Sequence, residues 1–223
     1  DAARTFLQSD ASGYVVTPNA EIAYEALHSE ALCRVLNDAQ LVLPDGAGVV
    51  LASKLVRSPL KQKVAGFDFA LLLLPVLAEL GLRLFLLGSN PGVAEQAAEI
   101  LREKHPNLCI CGTADGYFSQ DGEALEAIRA VQADVVYVCL GAPKQEFFMQ
   151  RNLAPSGAKL MLGLGGTLDV VAGHVKRAPR WMQRSGLEWV YRIVQEPARL
   201  WKRYGLGLLK FGWLAGWSAA ASW

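Results

Sequence analysis

Three polar residues follow one apolar run. Residues 138–140 are apolar, Gly141-Ala142-Pro143 breaks the run, and Lys144, Gln145 and Glu146 come next. A cation and an amide at the mouth of a helix suit an anionic, sugar-like ligand; the plain alternative is a strand-to-helix turn in which Glu146 caps the helix. Asp45 occupies a similar place in Leu43-Pro44-Asp45-Gly46. Its carboxylate suits a general base acting on a hydroxyl, or equally an N-cap that accepts a backbone N–H bond. Gly88-Ser89-Asn90-Pro91-Gly92-Val93 offers backbone N–H groups at a helix start, the geometry that holds phosphate, without a Walker lysine or a full G-x-G-x-x-G. In Gly163-Leu164-Gly165-Gly166-Thr167-Leu168-Asp169 the glycines permit close backbone approach, and Asp169 can accept from a base or ribose. Lys63 and Asp68 flank Val64-Ala65-Gly66 and read as a surface ion pair and a further helix cap.

Metal chemistry has little to work with. There is no D-x-D, and His28, His105 and His174 are scattered. A diphosphate held through a carboxylate-bound divalent ion is therefore not expected. Cys33, Cys109, Cys111 and Cys139 fit neither zinc spacing nor a disulfide framework, so they are expected as reduced, mostly buried thiols.

The elements that must position these residues are legible as an alternation. Apolar strand-like runs at 13–16, 40–43, 82–87, 108–111, 134–140 and 159–164 are separated by helix-like segments at 20–37, 47–54, 68–80, 93–104, 123–131 and 144–152. This pattern predicts an α/β, Rossmann-like, mostly parallel sheet with helices on both faces. Ligands in such sheets bind at the carboxyl ends of the strands, where Thr17-Pro18-Asn19, Asp45, Gly88-Ser89, Gly116-Tyr117, Gly141 to Gln145 and Gly165-Gly166 all fall. Any one of these turns is explained by backbone needs alone. Asp45, Lys144 and Gln145 are not.

The 223 residues are 52% apolar and 19% charged, the balance of a globular chain. The net charge of +1 conceals an asymmetry: residues 176–203 carry eight basic and two acidic side chains, or +6, whereas residues 1–175 carry 13 and 19, or −6. Trp181, Trp189, Tyr191 and Trp201 interleave with the basic residues, and a helix is expected from Leu187 until Pro197 breaks or kinks it. Arg192, Arg199 and Arg203 recur on one face. Residues 205–223 hold one charge and three tryptophans, which predicts a segment lying in a membrane interface rather than spanning it. Residues 1–175 are thus expected as a catalytic domain and 176–223 as a membrane-associating appendage. The first residues do not read as a secretory signal. Nucleic acid is not expected as the anionic partner, because residues 1–175 are net acidic without a basic cluster.

The segments TPNAEIAYEA (17–26), LPDGAGVVLASK (43–54), KVAGFDF (63–69), LLGSNPGVAEQAAEIL (86–101), GYF (116–118), LGAPKQE (140–146), GLGGTLDVVAGHVKRAP (163–179) and YRIVQEPARLWKRY (191–204) resemble, in order, the WecG/TagA/CpsF family of bacterial glycosyltransferases. The resemblance implies an inverting, metal-independent transfer that needs no cofactor. A UDP-activated sugar, typically N-acetylmannosamine or its uronate, would go to the 4-hydroxyl of N-acetylglucosamine on undecaprenyl diphosphate, in the cytoplasmic leaflet. It also implies site roles. Asp45 matches the catalytic base, and Thr17 and Asn19 match residues lining its pocket. Gln145 matches the donor site and Asp169 a residue near the uracil, while Gly88, Ser89, Tyr117, Gly141, Lys144, Gly165 and Gly166 fall at UDP-sugar contacts. Arg192 and Arg199 match arginines of an appendage that folds over the site at the membrane. Lys63 stands where the family carries arginine, so charge is kept and bidentate geometry is lost.

Two other classes remain to be weighed. A Rossmann oxidoreductase would need G-x-G-x-x-G after the first strand, where Thr17-Pro18-Asn19 stands instead. A non-catalytic module docking on anionic lipid would need only the basic end. The donor (N-acetylmannosamine, its uronate or glucose) and the oligomeric state, a homo-oligomer included, are open at this level.

Overall fold

The computed structural model describes residues 2–185 and 188–195. Their elements run α1 (Ala2–Gln8), β1 (Gly13–Val16), α2 (Ala20–Ala26), α3 (Glu30–Asn37), β2 (Leu41–Val42), α4 (Ala47–Leu55), α5 (Gly66–Leu80), β3 (Arg83–Gly88), α6 (Val93–Lys104), β4 (Cys109–Ala114), α7 (Asp121–Ala130), β5 (Val135–Cys139), α8 (Lys144–Ser156), β6 (Leu160–Gly163), α9 (Thr167–Val171), α10 (Arg180–Ser185) and α11 (Glu188–Gln195). By contact the chain forms two units interleaved in sequence: residues 1–16, 35–42 and 66–176, and residues 17–34, 43–65 and 177–223.

The first unit is built on a six-stranded sheet in the order β2-β1-β6-β5-β3-β4, with every pair parallel. Its central strands are apolar on both faces because both faces are covered. Phe85, Leu87, Val136, Val138 and Met161 pack with Ala124 and Ile128 of α7 and Phe148 and Met149 of α8. The alternate residues Leu84, Leu86, Val135 and Tyr137 are also buried. On that face the Tyr137 hydroxyl donates to the Ala70 carbonyl of α5 at 2.7 Å. Burial pushes the Tyr137 phenol far above its ordinary range, so it stays a neutral donor. On the other face Tyr14 donates to the Val35 carbonyl at 2.6 Å, and burial with the charge of Asp38 lifts its pKa to about 12.

The order of the strands fixes where a ligand can enter. From β3 the chain crosses outward to β4, and from β5 it crosses the other way to β6. The connections diverge between β3 and β5, and sheets of this kind take their ligands in a crevice outside the carboxyl ends at such a point.

In the second unit α2 packs against α4, and α10 against α11. The single helix expected over 20–37 is two helices. It breaks after Ala26, and α3 restarts where the Ser29 hydroxyl accepts from the Leu32 N–H at 3.3 Å, a capping signal the periodicity overrode. The helix expected from Leu187 is found as α11 over Glu188–Gln195. Among the described residues no helix is long and apolar enough to cross a membrane. The interfacial segment expected over 205–223 lies outside the described residues, as does Arg199.

Candidate active site

The crevice begins where β3 and β5 come unusually close. Gly88 has φ +123°, and a Cβ built on it would lie 2.3 Å from the Cys139 carbonyl oxygen. Only glycine fits there. The next N–H, of Ser89, donates to that same carbonyl at 3.1 Å, and the Ser89 hydroxyl donates to Asp169 Oδ2 at 2.9 Å. Ser89 thus ties the β3 exit to α9. The Ser89 and Val93 N–H groups bond within the protein, to Cys139 and Asn90, so the loop presents fewer backbone donors than its glycine content suggests.

Beside it, Gly141 turns the chain with φ +76°, the Ala142–Pro143 peptide is cis, and α8 starts at Lys144. Lys144 Nζ donates to the Gly116 carbonyl at 2.9 Å and lies 4.2 Å from the centroid of the Phe118 ring. One cation therefore straps the segment after β4 to the crevice rim. Tyr117, exposed within that segment, donates through its hydroxyl to Asn90 Oδ1 at 2.7 Å. Its ring is held between the exits of β3 and β4.

Gln145 and Glu146 sit deeper than the sequence suggests, at 2% and 0% exposure. Gln145 Nε2 donates to Glu146 Oε1 at 2.9 Å, and Gln145 Oε1 accepts from the Gly165 N–H at 3.0 Å. A carboxylate accepts only from the NH2 end of an amide, so Glu146 fixes which way Gln145 faces. Gln145 in turn fixes the turn after β6. Gly163 is part of the same fit, since a Cβ there would lie 3.0 Å from Gln145 Nε2 and 2.7 Å from Met149 Cε. The cap expected of Glu146 is corrected: Pro143 holds the N-cap position of α8, and Glu146 is a buried carboxyl facing the core. Asp68 likewise lies inside the first turn of α5 rather than at its cap.

Of the residues expected at a donor site, Gly88, Ser89, Tyr117, Gly141, Lys144, Gln145, Gly165 and Asp169 are thus brought together by these contacts, and Gly166 follows Gly165 in the same turn. The parts that Asn90, Gly116, Phe118 and Glu146 play as partners of Tyr117, Lys144 and Gln145 are not legible in the sequence. Their signal exists only once β3, β4 and β5 are known to be neighbours. Cys139 lies under the crevice, and its thiol is pushed up to about 12. Burial is the main cause; the backbone N–H groups of Leu168 and Thr167 oppose it, and the charge of Asp169 adds to it. That thiol is neutral and inert. The expectation of mostly buried thiols is corrected for Cys33 and Cys109, which are exposed.

The second unit holds the remaining expected residues. The Asn19 side chain accepts from the Glu21 and Ile22 N–H groups at 3.0 and 3.1 Å and so caps α2. The Asp45 N–H donates to the Pro18 carbonyl at 3.0 Å, which fixes the Asp45 turn against Thr17-Pro18-Asn19. Gly46, not Asp45, is the N-cap residue of α4, so the carboxylate stands one residue outside the helix. Thr17 is buried and Asp45 half-buried. The Val64 N–H donates to the Pro44 carbonyl at 2.9 Å, and Lys63 Nζ donates to the Gln183 carbonyl of α10. Thr17, Asn19, Asp45 and Lys63 are therefore joined through backbone contacts, with Gln183 as a member the sequence did not reveal. Arg177 and Glu188 pair at 3.9 Å ahead of and within α11, the helix that carries Arg192. Among the described residues no three His, Cys, Asp or Glu side chains cluster as a metal site.

The family model for the "Glycosyl transferase WecG/TagA/CpsF family" matches residues 1–222. A Bacillus spizizenii protein named N-acetylglucosaminyldiphosphoundecaprenol N-acetyl-beta-D-mannosaminyltransferase is 39% identical over 201 residues, covering 89% of this chain and 77% of its own. A Bacillus subtilis protein of the same name is 37% identical over 213 residues, covering 92% and 82%. Among solved structures, a substrate-binding periplasmic protein from Ralstonia solanacearum aligns at TM-score 0.35 and 21% identity, over 77% of this chain and 50% of its own, too loosely to carry an argument. With its whole length matched and both Bacillus relatives above 35% identity, the chain belongs to the WecG/TagA/CpsF family and is a glycosyltransferase.

Proposed function

We propose that the protein transfers N-acetylmannosamine from its UDP-activated form to the 4-hydroxyl of N-acetylglucosamine on undecaprenyl diphosphate. The product is a β-1,4-linked, lipid-borne disaccharide for teichoic acid or surface polysaccharide. The observation that carries this reading is the shared name of the two Bacillus relatives, at 39% and 37% identity over about nine-tenths of the chain.

In the proposed reaction Asp45 takes the proton from the acceptor 4-hydroxyl as its oxygen attacks the anomeric carbon. The new C–O bond forms opposite the breaking bond to the β-phosphate, so the anomeric configuration inverts and UDP leaves with the electron pair. The half-buried carboxylate outside α4, pinned beside Thr17 and Asn19, supports Asp45 in that role. The Gly88–Asp169 side of the crevice, with Lys144 at its rim and Tyr117 exposed, supports a nucleotide-sugar donor. Arg192 and Arg199, with Lys63, neutralise the leaving diphosphate in place of a metal; the absence of D-x-D from the chain supports this. The basic stretch 176–203 and the tryptophan-rich 205–223 hold the enzyme on the cytoplasmic leaflet, where the lipid acceptor lies.

A screen of UDP-N-acetylmannosamine, its uronate and UDP-glucose, with a short-chain polyprenyl diphosphate acceptor and with EDTA present, tests this reading. UDP-N-acetylmannosamine alone is expected to give a disaccharide at full rate. A strict requirement for added magnesium or manganese, or transfer of another sugar only, overturns it.

A further inference from the structure

Between Asp45 and Asp68 the charge is all of one sign: residues 46–67 contain Lys54, Arg57, Lys61 and Lys63 and no acid. The structure adds that four of its large apolar residues are exposed. Leu51 is 62% exposed, and Leu55, Val56 and Leu60 are 42%, 47% and 38% exposed, with Lys54, Arg57 and Lys61 exposed among them. Leu51 and Leu55 lie one turn apart on α4. The segment after the helix is tied down by hydrogen bonds rather than left to fold back over these side chains. The buried Ser53 hydroxyl donates to the Val50 carbonyl at 2.7 Å and accepts from the Leu60 N–H at 3.0 Å, while the Ser58 N–H donates to the Ser53 carbonyl at 3.0 Å. The Val56 and Arg57 N–H groups close on Ala52 and Lys54. Arg57 holds φ +57°, an unusual conformation for a side-chain-bearing residue, to complete the turn.

We propose that α4 and the turn 56–62 form a docking surface for an anionic lipid bilayer, distinct in sequence from the basic C-terminal stretch. Exposed leucines enter the headgroup boundary while the interleaved cations meet lipid phosphates. The absence of any acid from 46–67 and the fixed outward presentation of Leu51, Leu55, Val56 and Leu60 favour a negatively charged apolar boundary. An acidic protein face would satisfy the cations and leave the leucines without a partner. The proposal needs no particular donor sugar, and a failed sugar transfer would leave it standing.

Hydrogen-exchange mass spectrometry on the full chain tests it directly. Peptides covering residues 51–62 are expected to gain protection on phosphatidylglycerol-containing vesicles and none on phosphatidylcholine vesicles. The triple variants Leu51→Gln/Leu55→Gln/Leu60→Gln and Lys54→Gln/Arg57→Gln/Lys61→Gln are expected to weaken vesicle affinity on the order of tenfold or more at low salt. Their transfer to a soluble acceptor analogue should stay at the wild-type rate. Unchanged exchange over 51–62 on anionic vesicles overturns the proposal without reference to any variant. So does protection that appears without lipid and rises with protein concentration, which would make this face a contact between copies of the chain.

Discussion

Replacing Gly88 with alanine loads one methyl group onto the closest approach in the crevice. The added Cβ would meet the Cys139 carbonyl oxygen at 2.3 Å, its carbon at 2.4 Å and its Cα at 2.9 Å, all backbone atoms of β5. No rotamer change relieves that, so β3 and β5 must part at their exits. The φ of +123° adds a conformational penalty of about 1–3 kcal/mol for a residue with a side chain. Forced overpacking adds about 1–3 kcal/mol more. Together these give a loss of about 2–6 kcal/mol, a large share of a typical domain's stability. In urea unfolding with a slope of about 2 kcal/mol/M, the midpoint should fall by about 1–3 M. Gly122→Ala is the control: it lies in the first turn of α7 with ordinary φ, and its added Cβ meets nothing within 4 Å. That variant should be neutral or gain up to about 1 kcal/mol. Because Ser89 bonds to the same Cys139 carbonyl and to Asp169, Gly88→Ala should also weaken UDP binding in calorimetry. A stability loss under 1 kcal/mol with wild-type UDP affinity would refute the description of this strand exit.

Gln145→Leu should cost about 2–4 kcal/mol, since it strips Glu146 Oε1 and the Gly165 N–H of their bonds in a buried place; unchanged denaturant stability would refute the clasp. At pH 8 in the folded protein, a chromogenic thiol reagent should titrate Cys33 and Cys109 rapidly and Cys139 only after denaturation; fast labelling of Cys139 in a Cys33→Ser/Cys109→Ser background would contradict its burial. The raised pKa values of Cys139, Tyr14 and Tyr137 make the native state hold protons that the unfolded chain releases. Their stability contribution is therefore present below pH ~9 and falls as pH rises towards 12, by up to about 1.4 kcal/mol per pH unit for each group, readable from denaturant midpoints across that range.

The sheet was legible because its central strands are covered on both faces and read as apolar runs: β1 is found at the residues expected, and the other five strands within a few residues of them. Strand order was not. The pairing of Gly13 with Leu160 joins residues far apart along the chain, and nothing local encodes it. The strand-exit rule therefore found Ser89 and Lys144, and the glycine-rich segment 163–169 found Asp169, but neither showed that Ser89 bonds to Asp169 or that Lys144 reaches Gly116 and Phe118. Glu146 was misread for a related reason. Three residues into a helix an acid suits a solvated first turn, and only the proximity of β6 puts the Gly165 turn there instead. The short helices α1 and α9 carry too few residues for periodicity to show. Helix α2 was legible at its start through Asn19, whose capping bonds are what its residue type predicts, and was overextended at its end.

The central claim is that Asp45 activates the acceptor hydroxyl in a sugar transfer from UDP. Its most direct test is the rate of disaccharide formation from UDP-N-acetylmannosamine and a short-chain lipid-linked N-acetylglucosamine by Asp45→Asn, with UDP affinity measured on the same preparation. Asparagine keeps the size of the side chain and leaves the Asp45 N–H bond to Pro18 in place, so the fold and the nucleotide site should survive. The predicted result is a turnover lower by roughly 10²-fold or more, with UDP affinity within a few-fold of wild type. Turnover within a few-fold of wild type, at the same UDP affinity, would contradict the claim.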